Sequence, residues 1–317
     1  MRQFLAQTSL AADGTLAVCG KDYRYLRQVL RLKSGDMLLV RLVDGQLQPM
    51  TVCRVDEAAR RIVLQVCAAG VCSDRGAGAA TTPLAQTMRQ REDDGASQEA
   101  AAGSLPELWL FQFVARNAKM DVIIRQATEC GVSVIVPVVG DYSQMGGSDR
   151  NERYGRIIRE ARQQSGSAIE TRVHDTVTLV EAIALWQKHC NAVGAVIDNL
   201  ESVASIAVQD NAVSASASAD GVTSGRNTAL ACVLSERTER TRALHEAVRV
   251  TTSGAVLRAV ALVCGAEGGI SPQELERLAA AGFVPVHFKT NILRCETAAL
   301  YGIAALQSAV SERDVWQ

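Results

Sequence analysis

A glycine-rich segment near the carboxyl end of the chain has the residue types and spacing of a ligand-binding loop. The loop, Gly265–Gly269, follows an apolar run, Ala259–Cys264, that has the length of a buried strand. Ser271, Pro272 and Glu274 then suit the N-cap and first turn of a helix. Glycines let the backbone approach a ligand closely, and a helix start adds unpaired N–H donors. For a single loop, however, a tight strand-to-helix turn without a ligand is the simpler interpretation.

A second polar loop repeats this arrangement. It comprises Lys289–Arg294 and lies between a predicted strand, Phe283–Phe288, and a predicted helix, Cys295–Val310. Loops that follow parallel strands meet at one edge of the sheet, where such sheets usually bind ligands. The chain contains no G-x-G-x-x-G after a strand and no G-x-x-x-x-G-K-[ST]. These missing motifs argue against a Rossmann dehydrogenase and a P-loop nucleotide-binding protein.

Strands and helices alternate through the second part of the chain. Apolar runs typical of strands covered on both faces occur at residues 108–114, 132–139, 229–234 and 259–264. Segments with helical periodicity lie between them, at residues 119–130, 151–164, 177–190 and 239–250. This alternation predicts an α/β domain whose sheet is mainly parallel and covered by helices on both faces.

The first 67 residues have a different pattern and predict a small β-barrel. Short apolar runs such as Met37–Val40 and Ile62–Leu64 are bounded by turn sequences. One segment, Tyr25–Lys33, has apolar residues at roughly helical spacing with basic residues among them. The 67 residues hold ten Lys or Arg and six Asp or Glu, a net charge of +4. The basic helix is either a solvated face or a surface that follows nucleic-acid phosphates, and charge alone favours neither.

Two segments rich in Ala, Ser, Gly and Thr, residues 68–106 and 203–228, interrupt these regions. We expect the first to be a linker at the domain boundary. We expect the second to be a flexible surface insertion within a domain that spans residues 107–317. The whole chain is globular in composition, with 48% apolar and 21% charged residues, and its net charge of −1 excludes a uniformly basic nucleic-acid coat.

Membrane segments, secretion signals and metal sites are not expected. No apolar run approaches the ~18 residues that span a bilayer. The amino-terminal residues also lack the continuous apolar region of a signal peptide. The nine cysteines include no C-x-x-C pair. We therefore expect reduced thiols in a cytoplasmic protein that binds no metal.

Several motifs together resemble one family. Gly265–Ser271 and Ile292–Ala298 resemble the G-P-E-G-G-x-S … L-G-x-x-I-L-R-x-E-T-A pair of the ribosomal RNA uridine-N3 methyltransferases, the RsmE family of SPOUT enzymes. Leu26–Asp36 resembles the basic amino-terminal signature of that family. Lys119–Val132 is similar to its K-M-x-x-I-I-Q-K-A-T-E-L-G-V element, and Glu160–Gly166 to its E-A-x-E-Q-S-G-R element.

The resemblance implies a PUA-like RNA-binding β-barrel in residues 1–67 and a SPOUT-type α/β domain with a C-terminal trefoil knot in residues 107–317. It implies a homodimer that uses S-adenosylmethionine to methylate N3 of one uridine in 16S ribosomal RNA, within the small ribosomal subunit. By position, the cofactor-binding residues are Leu234, Ser235, Glu236, Val263, Cys264, Gly265, Glu267, Gly268, Phe288, Lys289, Asn291, Ile292 and Leu293. The RNA-binding residues are Arg2, Arg24, Arg27, Arg31, Lys33 and Gln164.

Methylation at uracil N3 sets requirements for nearby side chains. The base must be unpaired or extruded, at a cost of a few kcal/mol. Because the N3 proton must leave before or during methyl transfer, a cation that stabilises the developing uracil anion favours the reaction. We assign this role to Arg294, with Glu296 orienting either Arg294 or the base. A phosphate clamp or a packing role at the helix start is the alternative for Arg294.

The chain departs from the family pattern at positions that bear on activity. Ala266 replaces a Pro, Lys289 a Gly, Asn291 an Arg, and Ser167 the Arg that follows Gly166 in the motif. The last two changes remove positive charge from places where RNA contact is expected. Two other functions therefore stay open: a catalytically degenerate RNA-binding member of the same fold, and a nucleotide-using α/β enzyme. The second is weaker, since no Lys or Thr follows the glycines to bind phosphate and metal.

Overall fold

The computed structural model describes residues 3–67, 106–143, 151–197, 226–236, 241–252 and 255–312. The chain divides into two compact units. One comprises Met1–Gly103 with Arg162–Ala168, and the other Ser104–Ala161 with Ile169–Gln317. Nearly all of the predicted linker at 68–106 and of the predicted insertion at 203–228 lies outside the described residues, as does Arg2. In the described ranges, no helix is long and apolar enough to cross a membrane.

The first unit contains a five-stranded sheet. Its strands are β1 (Gln3–Leu5), β2 (Thr15–Cys19), β3 (Met37–Arg41), β4 (Leu47–Asp56) and β5 (Arg61–Val66), in the order β1-β3-β4-β5-β2. β1 is parallel to β3, and the other pairs are antiparallel. The inward-facing side chains form one core that includes Phe4, Leu16, Leu26, Val40, Met50, Ile62 and Leu64. The sequence predicted a β unit here correctly, and its PUA-like character stays a prediction.

The helical piece of the first unit begins and ends earlier in the chain than its sequence predicts. Helix α1, Gly20–Arg24, continues as one π-helical turn, Tyr25–Val29. Arg31 then has φ +56°, in the left-handed region that no right-handed helix contains. The prediction of a helix through Lys33 is therefore wrong at its carboxyl end.

The second unit is built on an eight-stranded sheet. Its strands are β6 (Glu107–Phe113), β7 (Val134–Val139), β8 (Arg172–Val173), β9 (Val177–Thr178), β10 (Val196–Ile197), β11 (Arg226–Leu234), β12 (Ala255–Cys264) and β13 (Val284–Val286). The order is β10-β11-β12-β6-β7-β8, and in addition β9 pairs with β7 and β13 with β11. Every pair is parallel. The parallel sheet that the sequence predicts is confirmed.

Helices cover both faces of this sheet, as expected from its apolar strands. They are α2 (Asn117–Glu129), α3 (Asn151–Ser165), α4 (Leu179–Ala192), α5 (Leu244–Thr252), α6 (Pro272–Ala280) and α7 (Cys295–Ser311). Residues of α2, α3, α5 and α7 share a core with Val260, Leu262 and Cys264 of β12. Residues of α4 and α6 share the opposite core with Ala259, Ala261 and Val263. Adjacent β12 residues thus point to opposite helical layers.

Helix α5 begins later than the sequence predicts. The expected start at residue 239 is wrong: residues 237–240 lie outside the described ranges, and the helix begins at Leu244. Arg242 instead forms a bridge with Val286 and is therefore extended.

Close contact between α7 and the sheet depends on one glycine. A Cβ at Gly302 would lie 2.8 Å from Leu234 Cδ1 and 2.9 Å from Leu262 Cδ2. Such distances are shorter than carbon contacts allow, so any larger residue at this position would have to displace the side chains of Leu234 and Leu262. The helix that follows the last loop is thereby held against the carboxyl end of β11.

Candidate functional site

The carboxyl ends of β11, β12 and β13 surround a cavity of about 570 Å³. Three loops line most of it: Leu234–Glu236, Gly265–Ile270 and the segment from His287 to Cys295 other than Lys289. Lys119, Tyr142, Pro272, Leu275 and Ala298 complete the lining. A cavity at this edge of a parallel sheet, with a volume inside the ~300–1,000 Å³ range of ligand sites, is suited to bind a small molecule.

Most of the predicted cofactor-binding residues line this cavity. They are Leu234, Ser235, Glu236, Gly265, Glu267, Gly268, Phe288, Asn291, Ile292 and Leu293. Val263 and Cys264 do not, because both are fully buried within β12. Lys289 is exposed and also does not line the cavity. The contact of these residues with a cofactor stays a prediction.

The glycine-rich loop is folded tightly on itself. A Cβ at Gly265 would lie 2.8 Å from the carbonyl carbon of Gly269, and Gly269 has φ +76°, which favours glycine. The Gly269 N–H donates to the Ala266 carbonyl at 3.0 Å. From β6, the fully buried Gln112 donates through Nε2 to the Gly265 carbonyl, also at 3.0 Å. These contacts hold the backbone of the loop in one conformation at the cavity.

The predicted capping box at the start of α6 is confirmed, and it has an additional partner. Ser271 Oγ accepts from the Glu274 N–H at 3.3 Å, and the Glu274 carboxylate accepts from the Ser271 N–H at 2.8 Å. The same Glu274 carboxylate accepts from the Asp141 N–H at 2.8 Å, while Ser271 Oγ donates to Asp141 Oδ2 at 2.6 Å. The loop after β7 is therefore fastened to α6, and this positions Tyr142 at the cavity.

A charged cluster joins α2, the glycine-rich loop and α7. Lys119 Nζ lies 3.3 Å from Glu296 Oε2 and 3.8 Å from Glu267 Oε1. The thiol of Cys295 donates to Glu296 Oε2 at 3.3 Å and is 3.8 Å from Lys119 Nζ. Glu267 also accepts from the backbone N–H of Arg116 at 3.2 Å. One ammonium thus lies between two carboxylates that come from separate segments of the chain.

The protonation states of this cluster follow from burial and from its contacts. Burial disfavours the charge of Glu296, but hydrogen bonds from its own backbone N–H, Cys295 and Lys119 lower its pKa overall. Burial likewise disfavours the charge of Lys119, yet the Cys295 sulfur and the two carboxylates raise its pKa. Burial raises the pKa of the Cys295 thiol to about 11. At neutral pH Lys119 is therefore cationic, Glu296 anionic and Cys295 a neutral donor.

His287 presents a defined face to the cavity. Its Nδ1 lies 2.9 Å from the carbonyl oxygen of Ser235. Because a carbonyl oxygen only accepts, Nδ1 must carry the proton and donate it. In the neutral ring Nε2 is then the acceptor nitrogen.

The candidate catalytic residues stand at the start of α7. Arg294 is the N-cap residue, and its exposed side chain lines the cavity. Its guanidinium has no hydrogen bond or ion pair with any residue that the structure describes. Glu296 does not line the cavity itself but contacts Lys119, which does. An exposed guanidinium can meet a ligand, whereas a packing role at the helix start would require burial.

The predicted RNA-binding residues have different surroundings. Arg24, Arg31 and Lys33 are exposed on the first unit, and Gln164 is exposed near the end of α3. Arg27 is engaged within its own unit: it donates to Glu57 Oε1 at 2.6 Å and to the Leu32 carbonyl at 2.7 Å. Three of the six residues are therefore exposed basic residues of the first unit, and Arg27 forms contacts within that unit.

Sequence reasoning did not identify four residues that the structure brings to the site or its supports: Lys119, Gln112, Tyr142 and His287. Lys119 is the first residue of a motif that resembles the family, and this position could have indicated a role at the site. Tyr142 follows the end of a predicted strand, where ligand-binding loops occur, and that position was also informative. Nothing in the local sequence distinguishes Gln112 or His287 from ordinary strand residues.

Comparison with known families finds a match over most of the second unit. The RNA methyltransferase domain matches residues 103–223 and 211–307. The chain is similar to the ribosomal RNA small subunit methyltransferase E of Aquifex aeolicus, with 24% identity over 206 residues, which are 64% of this chain and 69% of that protein. It is also similar to the protein of that name from Buchnera aphidicola, with 43% identity over 51 residues, 16% of this chain and 21% of that protein.

Solved structures show the same fold. The ribosomal RNA small subunit methyltransferase E of Neisseria gonorrhoeae, bound to S-adenosyl methionine, has a TM-score of 0.62 at 20% identity over 97% of each chain. A putative methyltransferase of Legionella pneumophila, in complex with the same cofactor, has a TM-score of 0.61 at 16% identity over 97% of this chain and 96% of that one. At these identities the likeness concerns the fold alone.

Proposed function

This chain belongs to the RNA methyltransferase family, and on that premise we propose that it transfers the methyl group of S-adenosylmethionine to N3 of a uridine in small-subunit ribosomal RNA. The observation that carries the proposal is the cavity at the ends of β11, β12 and β13. It is lined by the residues whose motifs resemble the RsmE family, and Arg294 lies at its edge. The Aquifex relative, named as a small subunit methyltransferase, supports the choice of RNA.

The cavity suits S-adenosylmethionine in size and in chemistry. Its lining combines apolar side chains, such as Leu234 and Phe288, with the backbone of three loops and the carboxylate of Glu236. Backbone N–H and C=O groups recognise the edges of an adenine and its ribose, and apolar groups cover their faces. When bound, the cofactor supplies an electrophilic methyl group on a sulfonium. At Gly265 and Gly268 of the tightly folded loop there is no room for a side chain, and the absence of side chains there lets the backbone approach the cofactor.

The chain's own residues stabilise the charge that develops on uracil. Loss of the N3 proton to solvent would leave a uracil anion whose negative charge is shared by O2 and O4. The N3 lone pair would then form the bond to the methyl carbon as the carbon–sulfur bond of the sulfonium breaks and the neutral thioether leaves. The exposed guanidinium of Arg294 presents several N–H donors to these oxygens. Lys119 and Glu296 form the ion pair beside it, at 3.3 Å, and fix the start of the helix that carries Arg294. Arg294 is accordingly the catalytic residue of the proposal, and Glu296 a positioning residue.

The finer structural expectations belong to the same proposal. The pairing of β13 with β11, together with the packing of α7 on α2 and β12, supports a C-terminal trefoil knot. The all-β sheet and basic surface of the first unit support a PUA-like RNA-binding barrel. The homodimer and the cytoplasmic location rest on the resemblance to the RsmE family, and light scattering of the purified protein tests the dimer.

The decisive experiment compares small-subunit RNA from cells with and without the gene. Mass spectrometry of nuclease fragments should reveal one N3-methyluridine that is lost on deletion and restored by the wild-type gene. Restoration should fail with Arg294→Ala. An unchanged modification profile would favour the alternative of an RNA-binding protein without catalysis. This alternative is retained because Ala266, Asn291 and Ser167 differ from the residues of the family motifs.

A further inference from the structure

Tyr142 is an aromatic residue that lines the cavity and that neither the family motifs nor the proposed chemistry uses. It follows β7, and 49% of its surface is exposed. No aromatic ring within the described residues packs against it. Phe288 lines the cavity too, but it is packed edge-on by Tyr301, with ring centroids 5.0 Å apart. The Tyr142 ring is thus partly exposed to solvent and free of stacking with other aromatic rings of the described residues.

The glycine-rich loop supports one side of this ring. A Cβ at Gly268 would lie 2.8 Å from Tyr142 Cβ and 3.1 Å from its Cγ, so the side chain rests directly on the backbone of the glycine-rich loop. The preceding residue, Asp141, is bonded through its N–H to Glu274 and through its carboxylate to Ser271. An exposed aromatic ring that rests on backbone, beside a residue held by partly buried hydrogen bonds, binds a planar partner without losing much conformational entropy.

We infer that Tyr142 is the platform on which this enzyme stacks an unpaired nucleobase of its RNA substrate. The inference rests on the proposed function, because a base whose N3 edge reacts must leave its own stack. Proteins that hold unpaired RNA bases replace the lost stacking with aromatic rings of this kind. The contact with Gly268 places the ring beside the loop that is expected to hold the cofactor, where the reacting base must lie.

The exposure of the ring favours the RNA base over the cofactor's adenine as the partner. Ligand sites bury ~70–90% or more of a small molecule's surface, so a ring that serves only the cofactor is expected deep in the cavity and not at its solvent-facing rim. Half of the Tyr142 surface is open. A large ligand that arrives from solvent, after the cofactor, is the partner that such a ring suits.

Three variants separate the role of the ring from that of the hydroxyl and from folding. Tyr142→Leu removes the ring, Tyr142→Phe keeps it without the hydroxyl, and Tyr142→Trp enlarges it. For each, thermal unfolding checks the fold, and calorimetry gives the affinity for S-adenosylmethionine. Fluorescence anisotropy gives the affinity for small-subunit ribosomal RNA from cells that lack the gene, with the protein loaded with S-adenosylhomocysteine.

Tyr142→Leu should weaken RNA binding about ten-fold while cofactor affinity stays within about two-fold, and the Phe and Trp variants should bind RNA like the wild type. Wild-type RNA affinity in the Leu variant would overturn the inference. So would a parallel loss of cofactor affinity, which would assign the ring to adenine, or an equal defect in the Phe variant, which would assign the effect to the hydroxyl. If the Leu variant does not fold, loss of RNA affinity in the Trp variant alone still contradicts stacking.

A wild-type protein that binds this RNA but transfers no methyl group would contradict the proposed function, and the affinities would still decide the role of Tyr142.

Discussion

The ammonium of Lys119 lies 3.3 Å from the carboxylate of Glu296, and the same ammonium lies 3.8 Å from Glu267. Lys119 belongs to α2, Glu267 to the glycine-rich loop and Glu296 to the first turn of α7. One half-buried cation therefore joins the three segments that surround the expected methyl-transfer site. It also offsets part of the negative charge of two carboxylates that would otherwise repel the phosphates of an RNA substrate.

Replacing Lys119 by Met should lower the methylation rate and the stability of the fold. Without the ammonium, Glu296 and Glu267 lose a charged partner but keep their other hydrogen bonds, and the loss of such a partly exposed ion pair costs about 0.2–1 kcal/mol. Lys119→Arg should retain most of the activity, because it keeps the charge. Steady-state kinetics and thermal unfolding provide the measurements. Lys188→Met, at an exposed position on α4, is the control, and a Lys119→Met enzyme as active as this control would contradict the prediction.

The same pair predicts how stability depends on pH. The pKa of Glu296 is lowered in the folded protein from an ordinary value of 4.5. Its ionised form therefore stabilises the fold above pH 4.5, and this contribution is lost as the pH falls through the lowered pKa. Urea unfolding between pH 7 and pH 3 should show a weaker acid dependence in Glu296→Gln than in the wild type. Identical slopes in the two proteins would show that Glu296 does not contribute.

Arg294→Ala should reduce turnover far more than it reduces cofactor affinity. The exposed guanidinium is expected to stabilise charge on uracil, and removing one such donor from an active site costs roughly 10²–10³-fold in kcat. Single-turnover methylation and calorimetry with S-adenosylmethionine separate the two effects. Arg277→Ala, at an exposed position on α6, controls for the loss of one positive charge from the surface. An unchanged methylation rate would remove Arg294 from the mechanism.

Cys295 should resist alkylation at pH 8 although it adjoins the cavity. Burial raises the pKa of its thiol to about 11, and the thiolate is the reactive form. Cys19 and Cys53 are exposed and should react with iodoacetamide much faster. Peptide mass spectrometry at successive times compares the three. Labelling of Cys295 as fast as Cys53 would mean that its environment is more open than its contacts indicate.

Gly302→Ala should destabilise the protein and weaken cofactor binding together. The added Cβ would lie 2.8 Å from Leu234 Cδ1, and overpacking of this kind costs about 1–3 kcal/mol. Leu234 also lines the cavity, so its displacement alters the site. Gly155→Ala is the matched control: this glycine lies within α3 with nothing within 4 Å of its added Cβ, and alanine there should stabilise the helix. Equal Tm values for the two variants would contradict the prediction.

Local signals in the sequence account for the parts of this molecule that were predicted well. The capping box of Ser271 and Glu274 depends on residues three apart, and the last six residues of β12, Ala259–Cys264, form one continuous apolar run. Both can be recognised without knowing what packs against them. A glycine just after a helical segment is a third such signal: Gly131 follows α2 and has φ +78°, a conformation that favours glycine.

Contacts between distant segments could not be predicted in this way. The partners of Lys119 lie far away in the chain, so no spacing rule connects them. The placement of β13 against β11, and not beside β12, is a matter of sheet topology that composition does not specify. The helix expected to extend through Lys33 ended early because Arg31 adopts a left-handed conformation, which residue type alone rarely signals for arginine.

The pairing of β11 has a consequence for how the chain is made. Its partners β12 and β13 are both synthesised after it, as is α7, which covers part of one face of the sheet. Until α7 is made, the growing chain therefore carries apolar surface of β11, β12 and α2 that this helix covers in the folded protein. Prematurely terminated chains that lack α7 should expose Leu262, Cys264 and Ile124 and become substrates for chaperones and proteases.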